Sequence, residues 1–215
     1  MADLKTISRQ LAQIMIDIGA VKLSPENPFT WASGAIMPIY TDNRLLLGKE
    51  EYRRLVGQGF CEIIKSKQIP VDLISGTATA GIPHATTLAN ALKLPMSYVR
   101  SEAKGHGRKK MIEGLILQNQ NAVLVEDLIS TGGSALKAIK ALREEGMEAD
   151  NCLAIFTYGL KKATEEFKNI HCGLHTLLTF PDLVEYSIIN KLITEKQKEM
   201  LNDWYKDPFE WGKKL

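Results

Sequence analysis

The fold of this chain is decided by residues 122–134, which read Ala-Val-Leu-Val-Glu-Asp-Leu-Ile-Ser-Thr-Gly-Gly-Ser. Residues 122–125 are apolar and predict a strand that is buried on both faces of a parallel sheet. Two carboxylates, Glu126 and Asp127, follow where that strand is predicted to end. Small residues come next, at 130–134. They lead into a predicted helix whose apolar face consists of Ala135, Leu136, Ile139 and Leu142.

This order of strand, acids, glycine loop and helix is typical of a site for a sugar phosphate. Backbone N–H groups at a helix N-terminus bind an anion, and glycine lets the backbone approach it closely. Ionised carboxylates only accept hydrogen bonds, so Glu126 and Asp127 suit sugar hydroxyls rather than phosphate. The alternative is an ordinary strand-to-helix turn whose acids cap the helix. The two acids at the strand end favour a ribose 5-phosphate.

A second loop of small residues follows another predicted strand. Residues 71–74 are apolar apart from Asp72 and predict a short strand, and residues 75–81 read Ser-Gly-Thr-Ala-Thr-Ala-Gly before a predicted helix. One such loop is weak support for an anion site. Two of them on neighbouring parallel strands indicate a substrate that carries phosphate at both ends.

A basic segment, residues 101–114, separates the two loops along the chain. Its basic residues cluster around two glycines. They are Lys104, His106, Arg108, Lys109 and Lys110. Glycines beside basic residues predict a mobile loop that closes over an anion. A solvated basic loop is the alternative. The two nearby phosphate loops favour closure over substrate.

Alternating helices and strands along the remaining chain predict an α/β fold, a central parallel sheet flanked by helices, in one domain spanning residues 1–215. The predicted helices are at 4–18, 52–64, 160–167, 181–190 and 194–201, and further strands are at 95–100, 151–158 and 174–180. Residues 27–44 are rich in proline, glycine and aromatics and predict a hairpin. It is either a lid over a planar ligand or a surface hairpin packed on the core. Aromatic residues after position 203 are predicted to be packing anchors.

Composition excludes several classes of protein. A formal charge of +2 predicts no broad nucleic-acid surface, and no apolar run is long enough to span a membrane. The N-terminus lacks the apolar core of a signal peptide. Three widely spaced cysteines, Cys61, Cys152 and Cys172, predict reduced thiols and a cytoplasmic protein. A metal site at 171–175 (His-Cys-x-x-His) lacks a suitably spaced fourth ligand.

Residues 123–134 closely resemble the phosphoribosyl-pyrophosphate (PRPP) signature of the type I phosphoribosyltransferases. Three further segments are similar to the orotate phosphoribosyltransferases in particular: residues 29–34 with 38–44, residues 76–83, and residues 100–107, which read Arg-Ser-Glu-Ala-Lys-Gly-His-Gly. The resemblance implies the type I fold with a small N-terminal hood at about residues 20–45. It also implies transfer of ribose 5-phosphate from PRPP to orotate, which yields orotidine 5-phosphate.

The resemblance also implies roles for single residues. Lys104, His106 and Asp127 are the expected catalytic residues. The expected PRPP contacts are Thr77, Ala78, Thr79, Arg100, Lys104, His106, Glu126, Asp127, Leu128, Ile129, Ser130, Thr131, Gly132, Gly133 and Ser134. The expected orotate contacts are Ser130, Phe29 and Ser33. Mg²⁺ is expected to be held mainly by substrate and water, and a homodimer is expected to share its active sites through the basic loop.

This chain departs from some family members at three places. Ala32 and Ser101 stand where some members have lysine, and Thr79-Ala80 stands where others have Tyr-Lys. These changes leave fewer cations for anionic substrates. Lys104 and His106 are therefore expected to matter more here.

Two other functions share the predicted PRPP site. A purine-base phosphoribosyltransferase would differ in its hood, and a PRPP-sensing regulatory protein would bind nucleic acid without catalysis. The basic loop and the lack of a helix-turn-helix extension favour an enzyme over the regulator. A nucleotide-binding redox protein is disfavoured because no G-x-G-x-x-G follows a predicted strand.

Overall fold

A computed structural model describes residues 3–31, 33–102 and 111–214 of the chain. The strands of the described part are β1 (Val21–Leu23), β2 (Phe29–Thr30), β3 (Ile36–Met37), β4 (Ile39–Thr41), β5 (Leu73–Thr77), β6 (Met96–Val99), β7 (Ile112–Glu113), β8 (Asn121–Ile129), β9 (Glu148–Thr157) and β10 (Gly173–Thr179). Its α-helices are α1 (Leu4–Asp17), α2 (Glu50–Ser66), α3 (Gly81–Leu92), α4 (Gly133–Glu144), α5 (Lys161–Asn169), α6 (Phe180–Ile189), α7 (Glu195–Lys206) and α8 (Pro208–Trp211). Short 3₁₀ helices lie at Asn43–Gly48 and Gly212–Lys214.

The central sheet has the strand order β10-β9-β8-β5-β6-β7 and is parallel except at β7. The predicted α/β fold is confirmed, and β10 is the edge strand that the sequence predicts. The antiparallel β7 corrects the prediction that residues 101–114 form a loop throughout, because Ile112 pairs with Val99 and is buried. A two-residue strand is too short to show a hydrophobic period.

Side chains of β8 alternate between two hydrophobic clusters, one on each face of the sheet. Val123 and Val125 belong to the cluster that contains α1, α2, α3 and α6, and Ala122 and Leu124 belong to the cluster beneath α4 and α5. Such a strand has no polar face, which is why its sequence is an unbroken apolar run. The prediction of a strand buried on both faces is confirmed.

The end of β8 differs from the prediction. The strand was predicted to stop at Val125 but continues through both acids to Ile129. Its pairing with β5 ends at Val125, whereas its pairing with β9 continues to Ile129. Glu126 and Asp127 therefore lie on a stretch that has a neighbouring strand on one side only. The shorter length of β5 opens this position to a ligand.

Two small antiparallel ladders form the N-terminal hood. β1 pairs with β4, and β2 pairs with β3, so the predicted hairpin region is present as two short pieces. Trp31 anchors this region, since its indole N–H donates to the carbonyl of Ile39 at 2.9 Å and its ring lies 5.2 Å from the ring of Tyr158. The hood is thereby held over one end of the sheet.

Most of the C-terminal aromatic residues pack as predicted. Trp204 and Trp211 are buried, and the hydroxyl of half-buried Tyr205 donates to the carbonyl of Gly159 at 3.2 Å. Phe209 is 45% exposed, so its prediction as a packing anchor is wrong. The capping box of α7, formed by Thr194 and Gln197, is confirmed.

We expect Gly81→Ala to lower the free energy of unfolding by about 2 kcal/mol. A Cβ at Gly81 would lie 2.4 Å from the carbonyl oxygen of Val125, and β8 backbone cannot move without disturbing its pairing on both sides. Urea unfolding measures the difference. Gly48→Ala is the matched control, because nothing lies within 4 Å of its Cβ position. Equal midpoints for the two variants would contradict the close packing of α3 on β8.

Candidate active site

A cleft of about 580 Å³ lies between the hood and the carboxyl ends of β5 and β8. Ligands of open parallel sheets bind at this edge. The hood contributes Thr41, Asp42, Asn43, Arg44 and Leu47 to the lining. The core contributes Thr77, Ala78, Thr79, Ala80, Pro83, Glu126, Asp127, Leu128 and Ser134. The structure thus brings together the two acids and the two predicted loops, which are far apart in the sequence.

Glu126 fastens the start of α4 to the end of β8. Its side chain is 5% exposed, and each carboxylate oxygen accepts a hydrogen bond from the protein. The hydroxyl of Ser134 donates to Oε2 at 3.0 Å, and the backbone N–H of Asp127 donates to Oε1 at 3.1 Å. Asp127 is less buried and lines the same cleft. Glu126 therefore holds the start of α4 against β8 and also lines the cleft.

Burial makes both acids hard to ionise. It raises the pKa of Glu126 to about 8, and the neighbouring Asp127 acts in the same direction. Burial likewise raises the pKa of Asp127. Because the ordinary value for Glu126 is 4.5, the folded protein holds a proton that the unfolded chain releases between about pH 4.5 and 8. The pair consequently lowers the free energy of unfolding as the pH rises through that window.

We expect binding of a ribose phosphate in this cleft to release protons near pH 7. Sugar hydroxyls donate hydrogen bonds and so favour the ionised carboxylates, which lowers their pKa. Calorimetric titration with PRPP and Mg²⁺ in two buffers of different ionisation enthalpy measures the release. Glu126→Gln serves as the control, because it removes the group whose pKa is raised most clearly. Heats that do not depend on the buffer would contradict the prediction.

The N-terminus of α4 borders the cleft and has no side-chain cap. Gly132 precedes it with φ of +84°, a conformation that favours glycine. Ser134 lines the cleft, whereas Ser130, Thr131 and Gly132 lie on the adjoining strand-to-helix turn and Gly133 begins α4. An uncapped helix N-terminus at this place can bind a phosphate through backbone N–H groups.

Two of the expected PRPP contacts on β8 differ in their access to the cleft. Leu128 lines it. Ile129 is fully buried, and its carbonyl accepts hydrogen bonds from the backbone of Tyr158 and the hydroxyl of Thr157, both at 3.1 Å. The side chain and carbonyl of Ile129 are therefore used within the protein.

The loop after β5 presents a second uncapped helix N-terminus, that of α3. The N–H of Ala78 donates to the carbonyl of Val99 at 2.8 Å, so this donor is already used. Thr77 is 6% exposed, and its hydroxyl oxygen has no hydrogen-bond partner among the described residues. An anion at this loop would bind close to Thr79 and the first turn of α3.

The hood residues at the cleft differ from those that the sequence indicated. Phe29 packs against Tyr40 with ring centroids 5.9 Å apart, and Ser33 is exposed; neither lines the cleft. The hood residues that do line it include Asp42, Asn43 and Arg44, a polar run directly after β4. They belong to residues 38–44, which resemble the orotate phosphoribosyltransferases, but the sequence predicted no site role for them. A run of polar residues at the end of a predicted strand is the sequence signal that could have indicated these cleft residues.

Asn43 connects the hood to the acidic end of β8. Its side chain is 1% exposed, and its amide nitrogen donates to the carbonyl of Asp127 at 2.6 Å. The amide oxygen has no partner among the described residues. Asn43 thus ties the hood to the backbone of Asp127, and its amide oxygen remains as a hydrogen-bond acceptor beside the cleft.

A further expected site residue lies outside the cleft, and two fall outside the described residues. Arg100 is outside the lining of the cleft and pairs with Glu113 at 3.3 Å. Lys104 and His106 belong to residues 103–110, which lie outside the described residues. Ala32 lies outside them as well. Within the described ranges, no three His, Cys, Asp or Glu side chains are grouped to hold a metal ion, and no helix is long and apolar enough to cross a membrane.

Comparison with known proteins identifies the family. A family model described as phosphoribosyl transferase domain matches residues 49–174. The chain is 47% identical to the orotate phosphoribosyltransferase of Listeria monocytogenes serotype 4b (strain F2365) over 208 residues, which cover 97% of this chain and all of the relative. The chain is also 44% identical to that of Cytophaga hutchinsonii over 206 residues, covering 96% of this chain and 99% of the relative.

A solved structure agrees with these relatives. The crystal structure of orotate phosphoribosyltransferase from Aeropyrum pernix has a TM-score of 0.72 and 31% identity to this chain, and the match covers 81% of this chain and 96% of that one. The family model spans more than half of the chain, and the curated relatives match along nearly their full length. The chain therefore belongs to the phosphoribosyltransferases and, within them, to the orotate phosphoribosyltransferase family.

Proposed function

We propose that this chain transfers ribose 5-phosphate from PRPP to orotate, releasing pyrophosphate and orotidine 5-phosphate, in pyrimidine nucleotide synthesis. One observation carries the proposal beyond family membership. The cleft has two acids between two uncapped helix N-termini, those of α3 and α4. PRPP has the matching order of groups, with ribose hydroxyls between a 1-pyrophosphate and a 5-phosphate.

The residues of the cleft fit distinct parts of PRPP. The N-terminus of α4 suits the 5-phosphate, and the N-terminus of α3 suits the pyrophosphate. Asp127, with Glu126 behind it, accepts hydrogen bonds from the ribose hydroxyls. The anomeric carbon then lies between the acids and the α3 loop, where the bond to pyrophosphate breaks and the bond to the orotate ring nitrogen forms.

The reaction develops charge at two places. Positive charge appears on the ribose ring and negative charge on the departing pyrophosphate, so fixed charges of opposite sign lower the barrier. The acids are placed to stabilise the ribose cation. We propose that Lys104 and His106, two of the five basic residues of the basic segment, stabilise the charge on the pyrophosphate.

Magnesium fits this site as an ion carried by the substrate. Mg²⁺ is usually bound by one or two carboxylates together with phosphate oxygens and water. Asp127 and Glu126 are the only carboxylates at the ribose position among the described lining residues, and both oxygens of Glu126 are already hydrogen-bonded. Asp127 would hold the ion together with PRPP oxygens, and the bound ion would neutralise charge on the pyrophosphate.

We also propose a homodimer in the cytoplasm, in which the basic loop of one subunit serves the active site of the other. Support for the shared site comes from the resemblance of residues 100–107 to the loop of the orotate phosphoribosyltransferases. Support for a reducing compartment comes from the free thiols, of which Cys152 and Cys172 are buried and Cys61 is half-buried.

The absorbance of orotate in the ultraviolet tests the proposed reaction directly. Orotate, PRPP and Mg²⁺ are mixed with the protein, and a control omits PRPP. We expect the orotate signal to fall only when PRPP is present. An unchanged signal together with calorimetric binding of PRPP would contradict the choice of orotate. Adenine, hypoxanthine and xanthine would then test a purine base in the same assay.

A further inference from the structure

The charge of the cleft does not match its substrates. Among the described residues that line it, three are acids, Asp42, Glu126 and Asp127, and one is a cation, Arg44. Orotate and PRPP are both anions, and this chain has Ala32, Ala80 and Ser101 where some family members have lysine. Arg44 is therefore the described side chain best able to bind an anionic group in this cleft.

The contacts of Arg44 orient its guanidinium and leave its two terminal nitrogens available to a ligand. Its Nε donates to Oδ1 of Asp42 at 2.7 Å, and its backbone N–H donates to the same oxygen at 3.2 Å. The two terminal nitrogens have no partner among the described residues, and the side chain is 67% exposed. The guanidinium is thus oriented by Asp42 and retains a pair of donors, the arrangement that binds a carboxylate in a bidentate manner.

Arg44 lies on the hood side of the cleft, across from the carboxyl ends of β5 and β8. It lines the cleft together with Asp127. The adjacent Asn43 fixes this segment to the carbonyl of Asp127. A cation on the hood side of the cleft, beside a segment fixed to the ribose acid, is better placed to meet the base than the two phosphate groups, which the helix N-termini suit.

We propose that Arg44 binds the carboxylate of orotate and thereby makes the enzyme select orotate over uracil, which lacks that group. The inference deepens the proposed function and rests on it. Pyrophosphate is the less suitable partner, because it already has the N-terminus of α3 and the cations of the basic segment. The carboxylate of orotate is attached next to the attacking nitrogen, and no other described cation lines the cleft to receive it.

Paired ligands that differ only in this carboxylate test the proposal. Orotidine 5-phosphate and uridine 5-phosphate are titrated by calorimetry into the wild type, Arg44→Gln and Arg54→Gln. Arg54 is the matched control, because it is 58% exposed, pairs with Glu50 at 3.4 Å and does not line the cleft. We expect Arg44→Gln to lower the affinity for orotidine 5-phosphate by at least about tenfold. Its affinity for uridine 5-phosphate and both affinities of Arg54→Gln should remain as in the wild type.

Steady-state kinetics supply a second readout. The KM for orotate should rise in Arg44→Gln while the KM for PRPP changes little, and Arg44→Lys should recover only part of the loss because an ammonium cannot pair in a bidentate manner. An equal loss of affinity for the two nucleotides in Arg44→Gln would overturn the proposal that Arg44 binds the carboxylate. So would a rise confined to the KM values for PRPP and pyrophosphate, which would assign Arg44 to the leaving group.

Failure of the proposed function gives a different result. A wild type that neither consumes orotate with PRPP nor binds orotidine 5-phosphate would overturn the reaction itself, before any variant is considered. A wild type that does both, together with an Arg44→Gln variant of unchanged selectivity, would overturn only the role of Arg44. Since Arg44 is exposed and belongs to neither hydrophobic cluster, we expect its variant to fold normally, and thermal unfolding verifies this.

Discussion

Replacing Lys104 with alanine should lower kcat about 100- to 1,000-fold and change the affinity for PRPP far less. The reason is the charge of the cleft, whose described lining has three acids and one arginine. Negative charge grows on pyrophosphate as it leaves, so a cation that meets it there stabilises the transition state more than the bound substrate. Single-turnover kinetics and calorimetric titration with PRPP measure the two effects separately.

Lys140→Ala is the matched control for this variant. Lys140 lies on α4, is 78% exposed and pairs with Glu144 at 3.8 Å, so its removal should leave kcat unchanged. Equal losses of turnover and of PRPP affinity in Lys104→Ala would contradict the assignment, because they indicate uniform binding of substrate and transition state.

Replacing Asp127 with asparagine should lower kcat/KM for PRPP about 100-fold, which corresponds to about 2.7 kcal/mol of lost transition-state stabilisation. Asparagine has nearly the same shape but lacks the charge that accepts the ribose hydroxyls and stabilises the ribose cation. The carbonyl of residue 127 still accepts the hydrogen bond from Asn43, so the hood remains attached. Initial rates at several PRPP concentrations measure this decrease in kcat/KM.

Stability separates this catalytic effect from a structural one. Because burial raises the pKa of Asp127, its ionised form is unfavourable in the empty site, and asparagine removes that cost. The free energy of unfolding of Asp127→Asn at pH 8 should therefore equal or exceed that of the wild type. A variant that loses activity and stability together would show that Asp127 mainly supports the fold.

Mixing the two variants tests whether subunits share sites. In a dimer with one Lys104→Ala chain and one Asp127→Asn chain, a shared arrangement contains one complete site. An equimolar mixture of freely exchanging chains should then recover about a quarter of wild-type activity. Sites confined to one subunit would remain inactive in every dimer, and the mixture would show no recovery.

Local patterns of the sequence were sufficient for the main elements of this fold. An unbroken apolar run, a glycine loop and an amphipathic helix predict β8 and α4, because burial on both faces excludes polar residues and a helical stripe repeats every 3.6 residues. The predicted elements agree with the structure because each depends on residues that are neighbours along the chain. The same local logic predicted a site at the acids and the loop after β5, and both line one cleft.

Predictions failed where a distant segment decides the outcome. β8 extends past the acids because β9 continues to pair with it while β5 ends, and neither length is visible in residues 122–134. On the hood side, residues 41–44 and Leu47 line the cleft, and Phe29 and Ser33, the expected orotate contacts, lie outside this lining. The hydrogen bond that fixes this geometry joins Asn43 to Asp127, residues that are 84 positions apart.

The sequence by itself determined the fold class, the PRPP signature and the family resemblance, since periodicity and motif spacing are properties of contiguous residues. Only the tertiary structure decided that Glu126 is tied to Ser134, that both acids are buried enough to raise their pKa, and that Arg44 enters the cleft. The physical reason is that desolvation and hydrogen bonding depend on what packs against a group. In this protein those neighbours come from the hood, β5, β8 and α4 together.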